Sequence, residues 1–461
     1  MSPDLRPGPA SLWRTTVDGT PPTYPQLEGD RDADVVIVGA GYTGLWTAYY
    51  LAEADPSLRI VVLDKEYVGF GASGRNGGWC SAIYPASMRR VSTLAGREAA
   101  IRMQRAMNDT VVEVGAVAAA EGIECGFAPG GYASVARNAA QLARAESEVA
   151  GWAAYGMADQ LTMLGQDEAS RRVRATRVLG GTYTPHCAAL QPFSLVVGLG
   201  AAAARRGVTI HEGTEVTGIR QGRVTTTAGV VRADVVVRAT EGFTPTLPGV
   251  HRSVVPMYSL MVATEPLPDD LWGHIGLAER ETFSDKRHLR IYGQRTADGR
   301  IAFGGRGAPY HWGSSVRPGH DLDESVHAML RRILLDLFPV LGGVRFTHAW
   351  GGNLGIPRDW TPSVTFDVAT GLAQAGGYVG DGVATANLAG RILRDAILRE
   401  PASELLNLPL YGHRSRAWEP EPLRWTGVNA VTALFTAADR TEARSGRPSR
   451  AAARFWHALG H

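Results

Sequence analysis

A glycine-rich turn near the N-terminus constrains the fold of this chain more than any other feature. Residues 39–44 read Gly-Ala-Gly-Tyr-Thr-Gly and follow a short β-branched run at 34–38. The segment at 43–54 then carries apolar residues at helical spacing, and a second apolar run follows at 59–63. Strand, glycine turn, helix and strand within about 30 residues predict a βαβ unit with parallel strands and a right-handed crossover.

This turn predicts a dinucleotide-binding site, because it follows a strand and opens a helix. Gly39 permits the tight turn, Gly41 lets the backbone approach a pyrophosphate at the helix N-terminus, and Gly44 allows close packing of helix on strand. Asp64 ends the second strand, where a carboxylate accepts hydrogen bonds from an adenosine ribose and repels a 2′-phosphate. FAD and NAD both use this pattern, so the turn alone does not choose between them.

Four further segments favour FAD, because they resemble loops of the D-amino-acid-oxidase-like flavoproteins, the superfamily of the glycine and sarcosine oxidases. They are GFGASGRNGG at 69–78, HEGTEVTGI at 211–219, RATEGFTP at 238–245 and GGYVGDGVATANLAGR at 376–391. In that family the first segment runs along the pyrophosphate toward the isoalloxazine ring, the second pairs with adenine at the position of Val216, and the third closes over the dinucleotide. The fourth opens a helix whose N-terminal partial charge stabilises the reduced flavin anion.

The resemblance covers about residues 34–400, and GFGASGRNGG together with WEPEPLRW at 418–425 resembles the gamma-glutamylputrescine oxidase branch most. It implies FAD bound non-covalently, since some relatives anchor flavin to a cysteine near the end of the chain and no cysteine follows Cys187 here. The residues expected to hold FAD are Gly39, Gly41, Tyr42, Thr43, Gly44, Asp64, Lys65, Gly71, Ala72, Ser73, Arg75, Asn76, Gly77, Gly78, Val216, Thr240, Gly377, Gly380, Asp381, Gly382, Val383 and Ala384.

Two of these residues bear on flavin electrostatics. Arg75 is expected to add a fixed positive charge beside the anionic oxygens of the cofactor. Asp381 stands where the family often has histidine. Its carboxylate opposes the reduced flavin anion unless it turns away as an N-cap.

The order of predicted elements gives an α/β fold: a Rossmann-like FAD-binding domain with an inserted α+β substrate domain on a mainly antiparallel sheet. The expected boundaries are 1–90, 185–250 and 345–412 for the FAD-binding domain, 91–184 and 251–344 for the substrate-binding domain, and 413–461 for a basic, aromatic C-terminal tail. The tail either packs as a helix against its own protein or rests on a membrane surface.

The family resemblance also implies the reaction. Its members oxidise primary or secondary amines to an imine that water hydrolyses, and the amine must be neutral with its C–H over the flavin. We expect Tyr292, His311 and Trp312 near the flavin, and Arg290 as an anchor for a substrate carboxylate or phosphonate. Relatives that reduce O₂ commonly place a lysine above the flavin in the segment that reads GGRGAPYHWG here. This segment has no lysine, so Lys286, His311 or an arginine supplies the cation, or O₂ is not the acceptor.

We therefore expect an FAD-dependent amine oxidase that forms an aldehyde or oxo product and H₂O₂ from a small amine and O₂. The alternatives are an amino-acid or N-methylamino-acid dehydrogenase with a quinone or protein acceptor, and a non-catalytic dinucleotide-binding protein.

With Lys+Arg 47 against Asp+Glu 45, the charge does not indicate a nucleic-acid partner. Three cysteines without CxxC spacing predict neither a disulfide framework nor a metal site. No transmembrane segment or signal peptide is recognised, so we expect a cytoplasmic protein; homo-oligomerisation is left open.

Overall fold

A computed structural model describes residues 6–7, 11–317 and 319–458 of the 461-residue chain. The strands are β1 Arg6–Pro7, β2 Arg31–Val38, β3 Ile60–Leu63, β4 Trp79–Ser81, β5 Tyr132–Ala136, β6 Thr162–Leu164, β7 Gly180–Thr184, β8 Cys187–Ala189, β9 Thr209–His211, β10 Val216–Arg220, β11 Arg223–Thr226, β12 Val230–Arg238, β13 Val255–Thr264, β14 Thr282–Asp285, β15 Ile291–Arg295, β16 Ile301–Gly305, β17 Phe346–Ile356, β18 Ser363–Asp367 and β19 Leu372–Gly376. The α-helices are α1 Leu12–Thr15, α2 Tyr42–Ala54, α3 Met88–Ala95, α4 Arg97–Ala120, α5 Ala139–Ala153, α6 Gln166–Arg172, α7 Pro192–Arg205, α8 Asp269–Ile275, α9 Glu324–Leu337, α10 Gly382–Leu398, α11 Leu423–Ser445 and α12 Arg450–Ala458.

The predicted βαβ unit is present as β2, α2 and β3, with β2 and β3 paired in parallel. Gly39 has a φ of 111°, which an L side chain rarely adopts, and it forms the turn between β2 and α2. A Cβ at Gly44 would lie 1.9 Å from the carbonyl oxygen of Gly39, so the start of α2 packs directly on the end of β2. Gly39 and Gly44 therefore have the local backbone roles that the sequence predicts for them.

The unit belongs to an eight-stranded sheet with the order β10-β11-β12-β2-β3-β9, in which β19 also pairs with β12 and β18 pairs with β19. β9, β3, β2, β12 and β19 run parallel. Helix α10 crosses α2 closely, since a Cβ at Gly390 would lie 2.7 Å from the Cβ of Trp46. This contact brings the N-termini of two helices to the same end of the sheet.

The second sheet has nine strands in the order β1-β17-β13-β16-β15-β14-β5-β7-β6 and is mainly antiparallel. The alternating segments HLRIYGQ at 288–294 and GRIAFGG at 299–305, which predict a hairpin with a turn at 297–299, contain β15 and β16, and Ile291 lies opposite Gly305. Helix α9 packs Leu330 and Leu334 into the same buried cluster as Phe303. The predicted α/β fold with a mainly antiparallel second sheet is confirmed.

One predicted boundary differs from the sheet pairing. The expected return to the FAD-binding domain at residue 345 precedes β17, which pairs with β13 along the nine-stranded sheet. The chain rejoins the eight-stranded sheet only at β18 and β19. The division of the chain into two domains otherwise stays our proposal.

The C-terminal tail packs against its own protein. Helix α11 places Phe435 and Ala438 in a buried cluster with Ala452 of α12, and Leu289 packs against it. The indole Nε1 of Trp418 donates to the carbonyl oxygen of Ile356 at 2.8 Å. None of the helices in the described ranges combines the length and the apolar composition that crossing a bilayer needs.

Candidate active site

A cavity lies between the two sheets, where the loop after β3, the hairpin β15–β16, the second half of β17 and the turn before α10 converge. Nine residues that the sequence predicts for the site line it: Ala72, Arg75, Asn76, Gly77, Arg290, Tyr292, Gly380, Asp381 and Val383. The remaining lining residues are Trp79, Ser81, Tyr132, Ser259, Ser284, Ile291, Arg306, Gly352 and Leu354. The fold thus joins predicted flavin-loop residues to predicted substrate residues in one space.

The glycine turn of α2 is bonded to the acidic residue that follows β3. Ala40 N donates to Oδ2 of Asp64 at 2.7 Å, and Glu66 N donates to Oδ1 at 2.9 Å. Burial raises the pKa of Asp64 to about 6, although these two hydrogen bonds oppose the shift. The exposed Lys65 pairs with Glu215 at 2.7 Å, next to Val216 at the start of β10.

The residues at this turn fit the diphosphate of FAD. Tyr42 N, the first amide of α2, donates to the Ser73 hydroxyl at 2.9 Å. Gly41 at the N-cap offers no side-chain cap, so the helix N-terminus remains suited to an anion. A Cβ at Gly41 would lie 2.9 Å from Ser73 Oγ, which shows how closely the two glycine segments approach.

Arg75 is fixed by several acceptors. Its Nε donates to the Phe70 carbonyl at 2.9 Å, and its Nη1 pairs with Asp321 at 2.9 Å. The side chain is buried, with 8% of it exposed. The predicted positive charge is therefore present, but the carboxylate of Asp321 compensates part of it.

Tyr292 forms an aromatic wall of the cavity with Trp79. Its hydroxyl lies 2.7 Å from Ser259 Oγ, and the ring centroids of Trp79 and Tyr292 are 5.9 Å apart. A Cβ at Gly77 or Gly304 would approach the Tyr292 ring to 2.7 or 2.6 Å, so glycine is needed on both sides. Burial raises the pKa of Tyr292, which keeps the phenol neutral.

Two arginines and one carboxylate carry the charge at the other end of the cavity. Arg306 donates from Nη2 to the carbonyl oxygen of Val379 at 2.5 Å. Asp381 precedes α10 but makes no capping hydrogen bond through its side chain. It faces the arginines instead: burial raises the pKa of Asp381, while Arg290 and Arg306 oppose that shift. The alternative in which Asp381 turns away as an N-cap is therefore not what the structure shows.

Arg290 lines the cavity as an exposed residue. Its guanidinium makes no hydrogen bond or salt bridge to any residue that the structure describes. Arg290, directly before β15, thus presents a cation that a ligand can bind.

His311 and Trp312 lie outside the cavity. His311 stacks on His320 with 3.6 Å between ring centroids, and Trp312 is 58% exposed. Asn429 of α11 accepts from Tyr310 N at 3.0 Å and donates to Tyr310 O at 3.1 Å, which attaches this segment to α11. Lys286, a second candidate for the cation above the flavin, pairs with Glu148.

Sequence reasoning missed several residues of the site. Trp79 directly follows the flavin loop and was within reach of a longer motif. Arg306, the arginine of GGRGAPYHWG, was covered only by the open expectation that an arginine supplies the cation. Ser259, Tyr132 and Ser284 join the cavity only through sheet pairing.

Glu241 is a further missed residue. Its carboxylate accepts from Gly377 N at 2.7 Å and from Gly355 N and Tyr378 N at 3.2 Å each. Burial raises the pKa of Glu241 to about 7, against the effect of these hydrogen bonds. Glu241 thus joins the segment RATEGFTP at 238–245, which also contains Thr240, to the turn before α10.

Comparisons with known proteins match the family that the sequence resembles. A family model described as FAD dependent oxidoreductase (DAO) matches residues 34–396. The probable oxidoreductase OrdL of Rhizobium meliloti is 31% identical over 398 residues, which is 85% of this chain and 89% of that protein. Gamma-glutamylputrescine oxidoreductase of Escherichia coli is 30% identical over 400 residues, covering 84% of this chain and 89% of that protein.

Solved structures show the same fold. Glycine oxidase from Geobacillus kaustophilus is similar with a TM-score of 0.70 and 22% identity, over 83% of this chain and 99% of that chain. L-proline dehydrogenase from P. horikoshii is similar with a TM-score of 0.67 and 19% identity, over 83% of this chain and 96% of that chain.

Proposed function

Because this chain belongs to the DAO family of FAD-dependent oxidoreductases, we propose that it oxidises the carbon–nitrogen bond of an amine or amino acid that carries an anionic group. Its cofactor is FAD. The observation that carries the proposal is that one cavity joins the flavin-loop residues, an aromatic wall and two arginines.

The chemistry that FAD supplies when bound is removal of hydride from the carbon beside the nitrogen, after which water hydrolyses the imine and O₂ accepts the electrons as H₂O₂. The protein must bind the amine in its neutral form. The wall of Tyr292 and Trp79 favours that form, because an apolar surface disfavours an ammonium ion. Tyr292 does not take the amine proton at neutral pH, since burial raises its pKa.

Orientation comes from the charged end of the cavity. Arg290 and Arg306 face one carboxylate, Asp381, while Arg75 pairs with Asp321. A substrate carboxylate bound to Arg290 gains charge-assisted hydrogen bonds and fixes the distance of the amine from that point. The Escherichia coli relative is named a gamma-glutamylputrescine oxidoreductase. Gamma-glutamylputrescine is an amine that carries a carboxylate, which supports this substrate class.

The test is anaerobic bleaching of the FAD-loaded enzyme by polyamines, gamma-glutamyl amines, aminophosphonates, sarcosine and D-amino acids. We expect amines with an anionic group to bleach the flavin at the lowest concentrations. Arg290→Gln should raise KM for those amines about 10- to 100-fold, as expected for a charged hydrogen bond. Arg220→Gln, at an exposed position at the end of β10, is the matched control. Bleaching by none of these compounds, or equal bleaching by uncharged amines in both variants, contradicts the proposal.

A dehydrogenase with a quinone or protein acceptor is the second candidate function. It is favoured by the cations that line the cavity, which are arginines and include no lysine among the residues that the structure describes. Mixing the substrate-reduced enzyme with air separates the two. Rapid recovery of the oxidised flavin spectrum supports the oxidase, and slow recovery that an added quinone accelerates supports the dehydrogenase.

A further inference from the structure

We propose that helix α11 positions the anion-binding end of the cavity, and that Asp439 is the positioning residue for Arg290. The inference rests on the proposed function, because it concerns how the anchor for the substrate is held. Residues 423–445 of α11 lie beyond residues 34–396, the part of the chain that the family model matches. Residues 286–290, which end in Arg290, form the Arg290 loop.

The carboxylate of Asp439 binds two consecutive backbone amides of this loop. His288 N donates to Oδ1 at 2.8 Å, and Leu289 N donates to Oδ2 at 2.9 Å. Both bonds involve a charged acceptor, which makes them stronger than bonds between neutral groups. The next residue is Arg290, so Asp439 fixes the backbone from which the guanidinium extends.

Glu442, one turn further along α11, holds the same loop through side chains. Its Oε1 lies 2.9 Å from His288 Nε2, and its Oε2 accepts from Arg144 Nη2 at 2.6 Å. Arg144 in turn donates from Nε to the carbonyl oxygen of Lys286 at 2.8 Å. The His288 ring stacks on Phe435, with centroids 5.7 Å apart and an interplanar angle of 10°. The loop is thus held over most of its length.

His288, Asp439 and Glu442 place one ligand atom each within 4.8 Å of one another, an arrangement that resembles a metal site. The hydrogen bonds argue against that use. Both oxygens of Asp439 accept from amides, and Glu442 is paired with the cation Arg144. A metal ion would have to displace these donors and lie beside a guanidinium. The cluster therefore serves to attach α11 to the Arg290 loop.

A second attachment links α11 to the segment of Arg306. Asn429 pairs with both backbone groups of Tyr310, and the Tyr310 hydroxyl donates to Glu421 at 2.8 Å. Arg306 N donates to the carbonyl oxygen of Arg290 at 3.0 Å, which joins the two arginine backbones directly. One helix is thus attached to both segments that supply Arg290 and Arg306 to the cavity.

The consequence for binding follows from side-chain entropy. Arginine has many rotamers, and Arg290 has no hydrogen-bonding partner among the described residues to select one. A fixed backbone limits the space that the guanidinium samples, so less entropy is lost when an anion binds. Movement of the Arg290 loop should therefore weaken anion binding while the flavin loop remains intact.

The experiment uses the FAD-loaded full-length protein and acetate as the probe, followed through the flavin absorbance spectrum. The variants are Asp439→Asn, Arg290→Gln and the two combined. Asparagine leaves one of the two amides facing an NH₂ group. Asp270→Asn, an exposed aspartate of α8, is the matched control. If Asp439→Asn does not fold with FAD bound, Asp439→Glu takes its place, because it keeps the charge and shifts it by one methylene.

We expect Asp439→Asn to raise the Kd of acetate about tenfold and Arg290→Gln to raise it at least as much. The combined variant should match Arg290→Gln alone, because a residue that acts through Arg290 has no effect without it. With an amine that bleaches the flavin, Asp439→Asn should raise KM and leave kcat nearly unchanged.

The proposal is overturned if Asp439→Asn binds acetate like the wild type, if the two effects add in the combined variant, or if acetate leaves the wild-type spectrum unchanged. These outcomes are distinct from failure of the proposed function. If no amine bleaches the flavin while the acetate series behaves as expected, the oxidation is wrong and the positioning of Arg290 stands.

Discussion

The hydroxyl of Thr43, in the first turn of α2, lies 2.9 Å from the hydroxyl of Tyr378, in the turn that precedes α10. The two residues are 335 positions apart in sequence, and both are buried. Their hydrogen bond sets the relative position of the two helix N-termini that the sequence assigns to FAD.

Replacing Tyr378 by Phe should loosen the two glycine turns. Buried Thr43 Oγ1 then loses a partner, which should lower the free energy of unfolding by about 1 kcal/mol. A similar loss in the free energy of FAD binding should raise the Kd of FAD about fivefold. Denaturant titration and fluorescence titration with FAD measure the two quantities. Tyr84→Phe is the control, since its buried hydroxyl has no hydrogen-bond partner among the described residues. An equal effect in both variants would refute the argument.

Adding a single methyl group at Gly77 should displace Tyr292. A Cβ there would lie 2.7 Å from the Tyr292 ring, so Gly77→Ala must move the ring away from Ser259 at a cost of about 1–3 kcal/mol. We expect kcat/KM to fall in proportion, measured by steady-state oxidation of whichever amine bleaches the flavin. Gly151→Ala serves as the control, because nothing lies within 4 Å of a Cβ at that helical position. Unchanged kcat/KM in Gly77→Ala would show that Tyr292 does not matter to the reaction.

Removing the charge of Asp381 should make the flavin easier to reduce. Its carboxylate lies at the start of α10 and faces Arg290 and Arg306, so Asp381→Asn leaves those arginines less compensated. The two-electron midpoint potential should rise, by on the order of 30 mV. Potentiometric titration of the FAD-loaded protein measures it, with the remote Asp270→Asn variant for comparison. A lower potential would mean that Asp381 does not act through its charge.

Glu241 should make stability depend on pH near neutrality. Burial raises its folded-state pKa to about 7, above about 4.3 in an unfolded chain, so the folded protein binds the extra proton between these values. The free energy of unfolding should therefore fall as pH rises from about 4 to about 7, by on the order of 2 kcal/mol from this group. The stabilisation from Glu241 is fully present below about pH 4, under its pKa in the unfolded chain.

Glu241→Gln should remove that part of the slope in denaturant titrations at several pH values. Asp64, whose pKa burial raises to about 6, leaves a smaller slope in the same direction. Identical pH dependence in the wild type and Glu241→Gln would show that Glu241 does not titrate in this range.

The parts of the fold that sequence predicted are those with local causes. Gly39 needs a positive φ and Gly44 needs the absence of a side chain, so the βαβ unit can be recognised within a few turns of chain. The hairpin of β15 and β16 follows from alternating residues and a turn at 297–299. Each of these depends on neighbours in sequence, and the structure has them where they were expected.

The candidate site was predicted only in part, because its members come from distant elements. Arg290 and Tyr292 are two positions apart at the start of β15, so a common face could be predicted, and both line the cavity. His311 and Trp312 follow the next strand, where a loop leaves the sheet and no periodicity fixes its direction. Asn429 of α11 decides that direction by pairing with Tyr310.

The sequence by itself determined the chain positions of the glycine turns, since backbone conformation and close approach restrict those positions to glycine. The choice of FAD came from the resemblance of four segments to D-amino-acid-oxidase-like flavoproteins. Only the tertiary structure decided which cations face the substrate space and that α11 holds the loop before Arg290. The physical reason is that an arginine or a carboxylate has no fixed direction or pKa until burial and its partners, here Asp439 and Asp381, are in place.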